Sequence, residues 1–204
     1  MEIIRANYED TDVFCPNQLK YGACCFYTED RLSKYFFKIN GHEAIIFTNT
    51  KQYIQQAIDE FLFYSSFITS IKDEHGNIIL TRQTVKPYLY DISKIQPSQF
   101  YINKEKLENS KKWIKSPEDI IIPIIIKDDR VISLDGHTRI KAAIDLGYTQ
   151  VYIYPDDYDQ TIFLFIEEAI KRNIHSVYDM ELVSAEDYKI KWDKFCDDLF
   201  ANLK

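Results

Sequence analysis

Apolar positions along this chain recur with two different periods, and the change from one to the other marks its elements. The run EAIIFT, Glu43 to Thr48, is short, rich in β-branched residues and bounded by polar ones, which predicts a strand. After it, Tyr53, Ile54, Ala57, Ile58, Phe61 and Leu62 recur at steps of three and four, the spacing of an amphipathic helix with Thr50 placed to cap it. SFITSI and NIILTR then flank Asp73-Glu74-His75-Gly76, where Gly76 supplies the positive φ of a hairpin turn.

The pattern shifts near residue 90. A short strand precedes Gln96-Pro97, and Asn103 opens a polar helix with Leu107, Trp113 and Ile114 on one face. Ser116-Pro117-Glu118-Asp119 reads as a helix start or tight turn. IIIPIIIKDDRVISL is two apolar runs around a turn at Lys127-Asp128-Asp129-Arg130; Pro123 lacks a donor and is expected before its strand or at its edge. Ile140, Ala143 and Ile144 form a helix's buried face, with Lys141 and Asp145 an exposed pair and Gly147 the stop. QVYIY, Gln150 to Tyr154, is a strand ended by Pro155.

The C-terminal third reads as helical. One stripe is Ile162, Phe163, Ile166, Ala169 and Ile170. Ser184 with Asp187 resembles a capping box and opens a second: Tyr188, Trp192, Phe195, Cys196, Leu199, Leu203. The expected class is α/β of the α+β kind. A mixed α/β region spans 1–89, a small mixed sheet with helices 90–159, and C-terminal helices over 160–204 pack on the core.

Composition narrows the function. With 46% hydrophobic and 15% aromatic residues among 204, the chain can bury a sizeable core, which excludes disorder. No run of ~18 apolar residues is present to span a bilayer. MEIIRANYED has neither a cationic start nor an apolar h-region, so no signal peptide is read and a cytoplasmic protein is expected. A net charge of −7 argues against a DNA-binding surface, which must neutralise many phosphates, but leaves room for one small phosphorylated ligand. Cys15, Cys24, Cys25 and Cys196 form no C-x-x-C pair and read as reduced packing residues. His42 and His75 read as plain surface histidines.

The chemistry gathers at LDGHTR, where a strand hands over to a helix. A helix N-terminus leaves N–H groups unpaired and carries partial positive charge, which suits phosphate. Gly136 has no Cβ to block a ligand, Arg139 can fork onto phosphate oxygens, and His137 can donate or transfer a proton. Asp135 can cap the helix, orient His137 or help hold a metal. The plainer alternative makes Asp135 only a cap and Arg139 only a surface side chain.

The stretch DISKIQPSQF … IIPIIIKDDRVISLDGHTRIKAAIDLGYTQVYIY resembles the domain shared by ParB-type partition proteins and sulfiredoxins, over about residues 90–155. The resemblance implies a small α/β fold whose glycine-containing turn binds nucleotide phosphates. Gly136, His137, Thr138 and Arg139 would then hold ATP, ADP or CTP, with Asp135 beside Mg²⁺ or the transferred group. Sulfiredoxins carry a catalytic cysteine between the motif's glycine and histidine; here His137 follows Gly136 directly. Partition proteins carry Gly-Glu-Arg-Arg and a helix-turn-helix, where this chain has Gly-His-Thr-Arg and an acidic helical tail. Free-serine kinases of the superfamily come nearest, with Asp-Gly-His-His-Arg, and Thr138 stands for the second histidine. Their catalytic glutamate, two residues after a proline, corresponds to Gln99, which cannot accept a proton. Glu105 and Glu108 are the nearby alternatives.

Asp156, Asp157 and Asp159 follow the last strand, and the first two are candidates for Mg²⁺; a solvated acidic loop is the plainer account. The expected function is nucleotide binding with phosphoryl transfer or hydrolysis, through Asp135, His137 and Gln99, onto an unidentified small-molecule or protein acceptor. The alternatives are a nucleotide-sensing or partner-binding module without chemistry, and a ParB-like DNA-associated regulator or nuclease.

Overall fold

The computed structural model describes all residues other than 8, 9, 11, 16, 17, 19–22 and 204. The chain forms two compact units, Met1–Lys86 and Pro87–Lys204, dividing just before the expected boundary.

The first unit runs β1 (Ile3–Arg5), β2 (Ala23–Thr28), β3 (Lys34–Asn40), β4 (Glu43–Thr48), α1 (Ile54–Tyr64), β5 (Ser70–Asp73) and β6 (Ile78–Thr81). The six strands lie in sequence order. Only β4 and β5 pair in parallel, because α1 carries the chain back across the sheet between them. The predicted stripe packs as expected, with Ala57, Ile58 and Phe61 buried and Phe61 stacked on Phe37 at 4.2 Å. Thr50 does not cap α1. Its hydroxyl accepts from the Gln52 N–H at 3.1 Å, one turn too early. The residue before the helix is Tyr53, at φ 55° with no side-chain cap. The β5–β6 hairpin turns at Gly76, φ 84°, around the Asp73 carboxylate, which accepts from the His75 and Asn77 N–H groups. His75 is exposed, whereas His42 is half-buried.

The second unit runs β7 (Tyr88–Asp91), β8 (Ile95–Pro97), β9 (Tyr101–Asn103), α2 (Lys104–Trp113), β10 (Ile121–Lys127), β11 (Arg130–Ser133), α3 (His137–Asp145), β12 (Gln150–Pro155), α4 (Ile162–Lys171), β13 (Glu181–Val183) and α5 (Ala185–Tyr188). A π-helical stretch, Lys189–Asp193, joins α5 to α6 (Lys194–Ala201). Five strands form a mixed sheet in the order β7-β12-β10-β11-β8. β10 runs parallel to β12 and antiparallel to β11, and β8 runs parallel to β11.

Alternation along the strands feeds two cores. Ile122, Ile124 and Val131 pack with Ile140 and Ala143 of α3, while Ile125 and Ile132 pack with Ile166 of α4. Asn103 caps α2, its side-chain oxygen accepting from the Glu105 and Lys106 N–H groups. Ser184 caps α5, accepting from the Asp187 N–H at 3.0 Å. In place of the reciprocal half of the expected box, the Asp187 carboxylate accepts from the Ser184 hydroxyl at 2.9 Å. Past it, Trp192 and Phe195 close on Phe100, each with ring centroids 5.0 Å away. The second stripe stops short of Leu203, which is exposed. The C-terminal third is also not purely helical, because β13 pairs in parallel with β9.

Pro123 corrects an expectation. It lies inside β10, the middle strand of the five, rather than before it or at its edge. The register explains the tolerance. β11 pairs with β10 only from Ile124↔Ser133 onward to the hairpin turn. At Pro123 the ladder keeps one bond, from the Leu134 N–H to the Pro123 carbonyl at 2.9 Å, and the missing donor falls where β11 turns away.

Among the described residues, no helix is long and apolar enough to cross a membrane. No disulfide is formed among the described residues. Burial pushes the Cys25 thiol up to about 12, with the neighbouring Cys24 adding to the shift, so the thiol stays protonated at neutral pH.

Candidate functional site

Parallel pairing of β8 with β11 puts the carboxyl ends of both strands side by side, Pro97 opposite Ser133. Both chains leave the sheet there, one into Ser98-Gln99 and the other into Leu134-Asp135-Gly136 and α3. In open α/β sheets, ligands bind in the crevice beyond the carboxyl ends of parallel strands, where the helices that follow present their N-termini.

Gly136 is the residue before α3, at φ 81° and ψ 13°, and has no side chain with which to cap it. Glycine is needed here for two reasons. A side chain rarely adopts that φ, and a Cβ would lie 2.5 Å from Ile122 Cδ1 and 3.0 Å from an Arg139 guanidinium nitrogen. The space beside Gly136 is therefore filled by the protein's own side chains, which corrects the expectation of a gap left for a ligand.

Arg139 folds back over the turn. Its Nη1 donates to the Ile121 carbonyl at 2.9 Å, and its Nη2 to the Asp135 carboxylate at 3.2 Å. Ile121 lies past the last β10–β11 pair, so the guanidinium satisfies a carbonyl that β11 has left behind. A guanidinium has five N–H donors, and its side chain remains 29% exposed, so donors are left for a ligand. The Asp135 carboxylate, one residue outside the helix start, is 79% exposed.

His137 is not at the surface of the site. It is 4% exposed, and its Nε2 accepts from the Ser98 N–H at 3.1 Å. The Ser98 hydroxyl donates to the Ser133 carbonyl at 2.8 Å and lies 3.3 Å from the same Nε2. A ring nitrogen that accepts from an amide carries no proton, so the neutral tautomer is Nδ1–H. Burial pushes His137 down to about 4; Asp135 opposes the shift and Arg139 adds to it. The imidazole is neutral at physiological pH and joins β8 to α3. This differs from the phosphate donor or proton shuttle that the sequence suggests.

Gln99 is half-buried. Its Nε2 donates to the Tyr101 carbonyl at 2.6 Å and to the Tyr188 hydroxyl at 2.9 Å. Tyr188 is buried, lies near enough to Asp135 to feel its charge, and carries the Lys106 ammonium 5.1 Å from its ring centre. Burial raises its phenol, with Asp193 the next contributor. Thr138, half-buried, completes the first turn of α3.

The structure thus brings together Gln99, Asp135, Gly136, His137, Thr138 and Arg139. It leaves out the other candidates. Glu105 and Glu108 are exposed on α2, and Glu108 pairs with Lys111 at 2.6 Å. Asp156 bonds through its N–H to the Ile124 carbonyl and accepts from the Tyr154 hydroxyl. The register sets it beside the far half of β10, on the order of 10 Å along the strand from Ile121 at about 3.3 Å per residue. Asp157 follows it, so neither carboxylate joins the turn. Among the described residues, no three His, Cys, Asp or Glu side chains gather to hold a metal ion.

Ser98, Ser133 and Tyr188 were not foreseen as part of the site. By spacing alone, Tyr188 is only an apolar member of a helical stripe. No local signal joins it to Gln99, 89 residues away.

Fold and site together define an α+β protein with a helix that starts at a glycine beyond the carboxyl ends of two parallel strands. No protein-family model matches the chain, and no curated protein matches it. Among solved structures it is similar to the crystal structure of protein Atu1540 from Agrobacterium tumefaciens, at 17% identity and a TM-score of 0.35. That match covers 49% of this chain and 63% of the other, less than two thirds of its length.

Proposed function

We propose that this chain binds a nucleotide, ATP, ADP or CTP with Mg²⁺, as a ParB/sulfiredoxin-like protein, with the phosphates at the start of α3. The observation that carries the reading is the start of α3 at a glycine, with Arg139 lying across its first turn. The first N–H groups of such a helix favour an anion, and Arg139 adds a fixed cation. Thr138 offers a hydroxyl to the same group.

Asp135 gives the metal its place in the proposal. A bare phosphate would meet the exposed Asp135 carboxylate and be repelled, whereas a Mg²⁺ ion attracts both. Mg²⁺ is held by one or two carboxylates with substrate phosphates and water, so one aspartate fits its needs. Bound there, the ion would neutralise phosphate charge.

The geometry favours binding without turnover over phosphoryl transfer. His137 Nε2 is occupied by Ser98, and Gln99 has no proton-accepting form. Transfer or hydrolysis would leave Asp135 as the base. That second reading needs its carboxylate released from Arg139.

A thermal-shift panel of ATP, ADP, CTP and GTP, each with and without Mg²⁺, tests the proposal on wild type and Arg139→Lys. Nucleotide at about 100 times its Kd adds about 2.7 kcal/mol. The shift is expected to need Mg²⁺ and to shrink in Arg139→Lys, which keeps a charge but loses the fork. No shift with any nucleotide defeats the proposal. Release of phosphate by wild type, abolished by Asp135→Asn, would select the transfer reading.

A further inference from the structure

Gln99 and Tyr188 make a pair whose chemistry is settled by its partners. The Tyr101 backbone oxygen can only accept, so the Gln99 atom facing it at 2.6 Å is the nitrogen, and the orientation of the carboxamide is not ambiguous. The second hydrogen on that nitrogen goes to the Tyr188 oxygen. Both amide hydrogens are committed, which pins the plane of the group. Gln99 Oε1 keeps its acceptor capacity, and the Tyr188 hydroxyl, having accepted, keeps its own proton to donate. One acceptor and one donor therefore stand together. Ser98 ties this corner to His137 at the start of α3, and Tyr188 feels the charge of Asp135.

A neighbouring acceptor and donor match a hydroxyl, which donates and accepts through one oxygen. We propose that Gln99 and Tyr188 form a subsite for a ligand hydroxyl beside the phosphate position, the Gln99 Oε1 accepting from it and the Tyr188 hydroxyl donating to it while fixing Gln99 in that orientation. The inference rests on the phosphate reading of the α3 turn. It assigns α5 a part in recognition beyond packing. Neither side chain removes a proton, so the subsite holds a hydroxyl in place and leaves it protonated. The hydroxyl has two sources: the sugar of the nucleotide, or a separate alcohol bound alongside.

The test is calorimetric titration of the full chain, wild type and Tyr188→Phe, with Mg²⁺. The ligands are inorganic triphosphate, ATP and CTP, their 2′-deoxy and 3′-deoxy forms, and ADP with and without glycerol or ribose. If the sugar supplies the hydroxyl, wild type prefers the ribonucleotide over one deoxy form by about five- to tenfold, the worth of a hydrogen bond. Tyr188→Phe brings that ratio to near one and leaves triphosphate affinity within about twofold. If a separate alcohol supplies it, deoxy forms bind alike, while glycerol or ribose tightens ADP in wild type and not in the mutant. Triphosphate bound with neither preference overturns the subsite and spares the phosphate reading. A mutant that weakens triphosphate as much as nucleotide reduces Tyr188 to a structural role and also overturns it. No binding of triphosphate or nucleotide by wild type overturns both.

Discussion

Acid is expected to destabilise this protein through one buried imidazole. His137 is a neutral, buried acceptor for the Ser98 N–H, and protonating Nε2 would set a donor against a donor. Its pKa is about 6.5 in the unfolded chain and pushed down to about 4 in the folded one. The folded value is the lower, so as pH falls below about 6.5 the unfolded chain takes up the proton first. The stability contribution is complete above that pH and is lost progressively down to about 4. The full difference is worth about 3 kcal/mol, and about 2.5 kcal/mol of it is gone at pH 4.5.

Urea unfolding at pH 7.5 and pH 4.5 measures the loss, in wild type and in Gln substituted at His137 (H137Q). Gln supplies an acceptor that does not titrate. Carboxylates held below their usual range, such as Asp145 beside Lys141 and Lys111, lose stability in the same direction, but equally in both proteins. The difference between the two pH dependences isolates His137. Wild type is expected to lose about 2.5 kcal/mol more than H137Q over this interval. Parallel losses would refute the buried-acceptor account of His137.

Other positions give sharper yes-or-no results. Gly136→Ala is expected to cost about 2–4 kcal/mol by urea unfolding, because positive φ and the contact with Ile122 add. Asn103→Ala removes both N–H bonds at the start of α2 and should cost about 1–2 kcal/mol in the same assay. Asp129→Gly should instead stabilise by about 0.5–1 kcal/mol. Asp128 and Asp129 turn the β10–β11 hairpin at φ 50° and 60°, where glycine in the second place is unstrained. A destabilised Asp129→Gly would mean the side chain makes a contact that offsets the strain.

What could be read from the sequence was local. The strand, turn, helix and strand from Ile121 to Pro155 follow from period, Gly136, Gly147 and Pro155, all within a few residues of what they control. β2 and β3 escaped because ACCFYT is buried almost throughout, and Phe36 puts an apolar side chain where alternation calls for a polar one. The turn DGHTR was correctly singled out as a junction, but the state of its members depends on distant partners. His137 reads as a reactive imidazole until Ser98, 39 residues earlier, occupies its nitrogen. Arg139 reads as a free cation until Ile121 and Asp135 take two of its donors. Spacing carries no information about such pairs.

Pro123 has a consequence for how the chain folds. The β10–β11 hairpin is a local structure that can zip outward from Asp128-Asp129 on a microsecond scale, before the distant strand β8 arrives. Past Ile124↔Ser133 the pairing keeps only the bond from the Leu134 N–H to the Pro123 carbonyl, because Pro123 has no N–H to return one. The hairpin thus measures its own length. It leaves Asp135 and Gly136 outside the ladder, free to start α3, whatever the rest of the chain is doing at that moment.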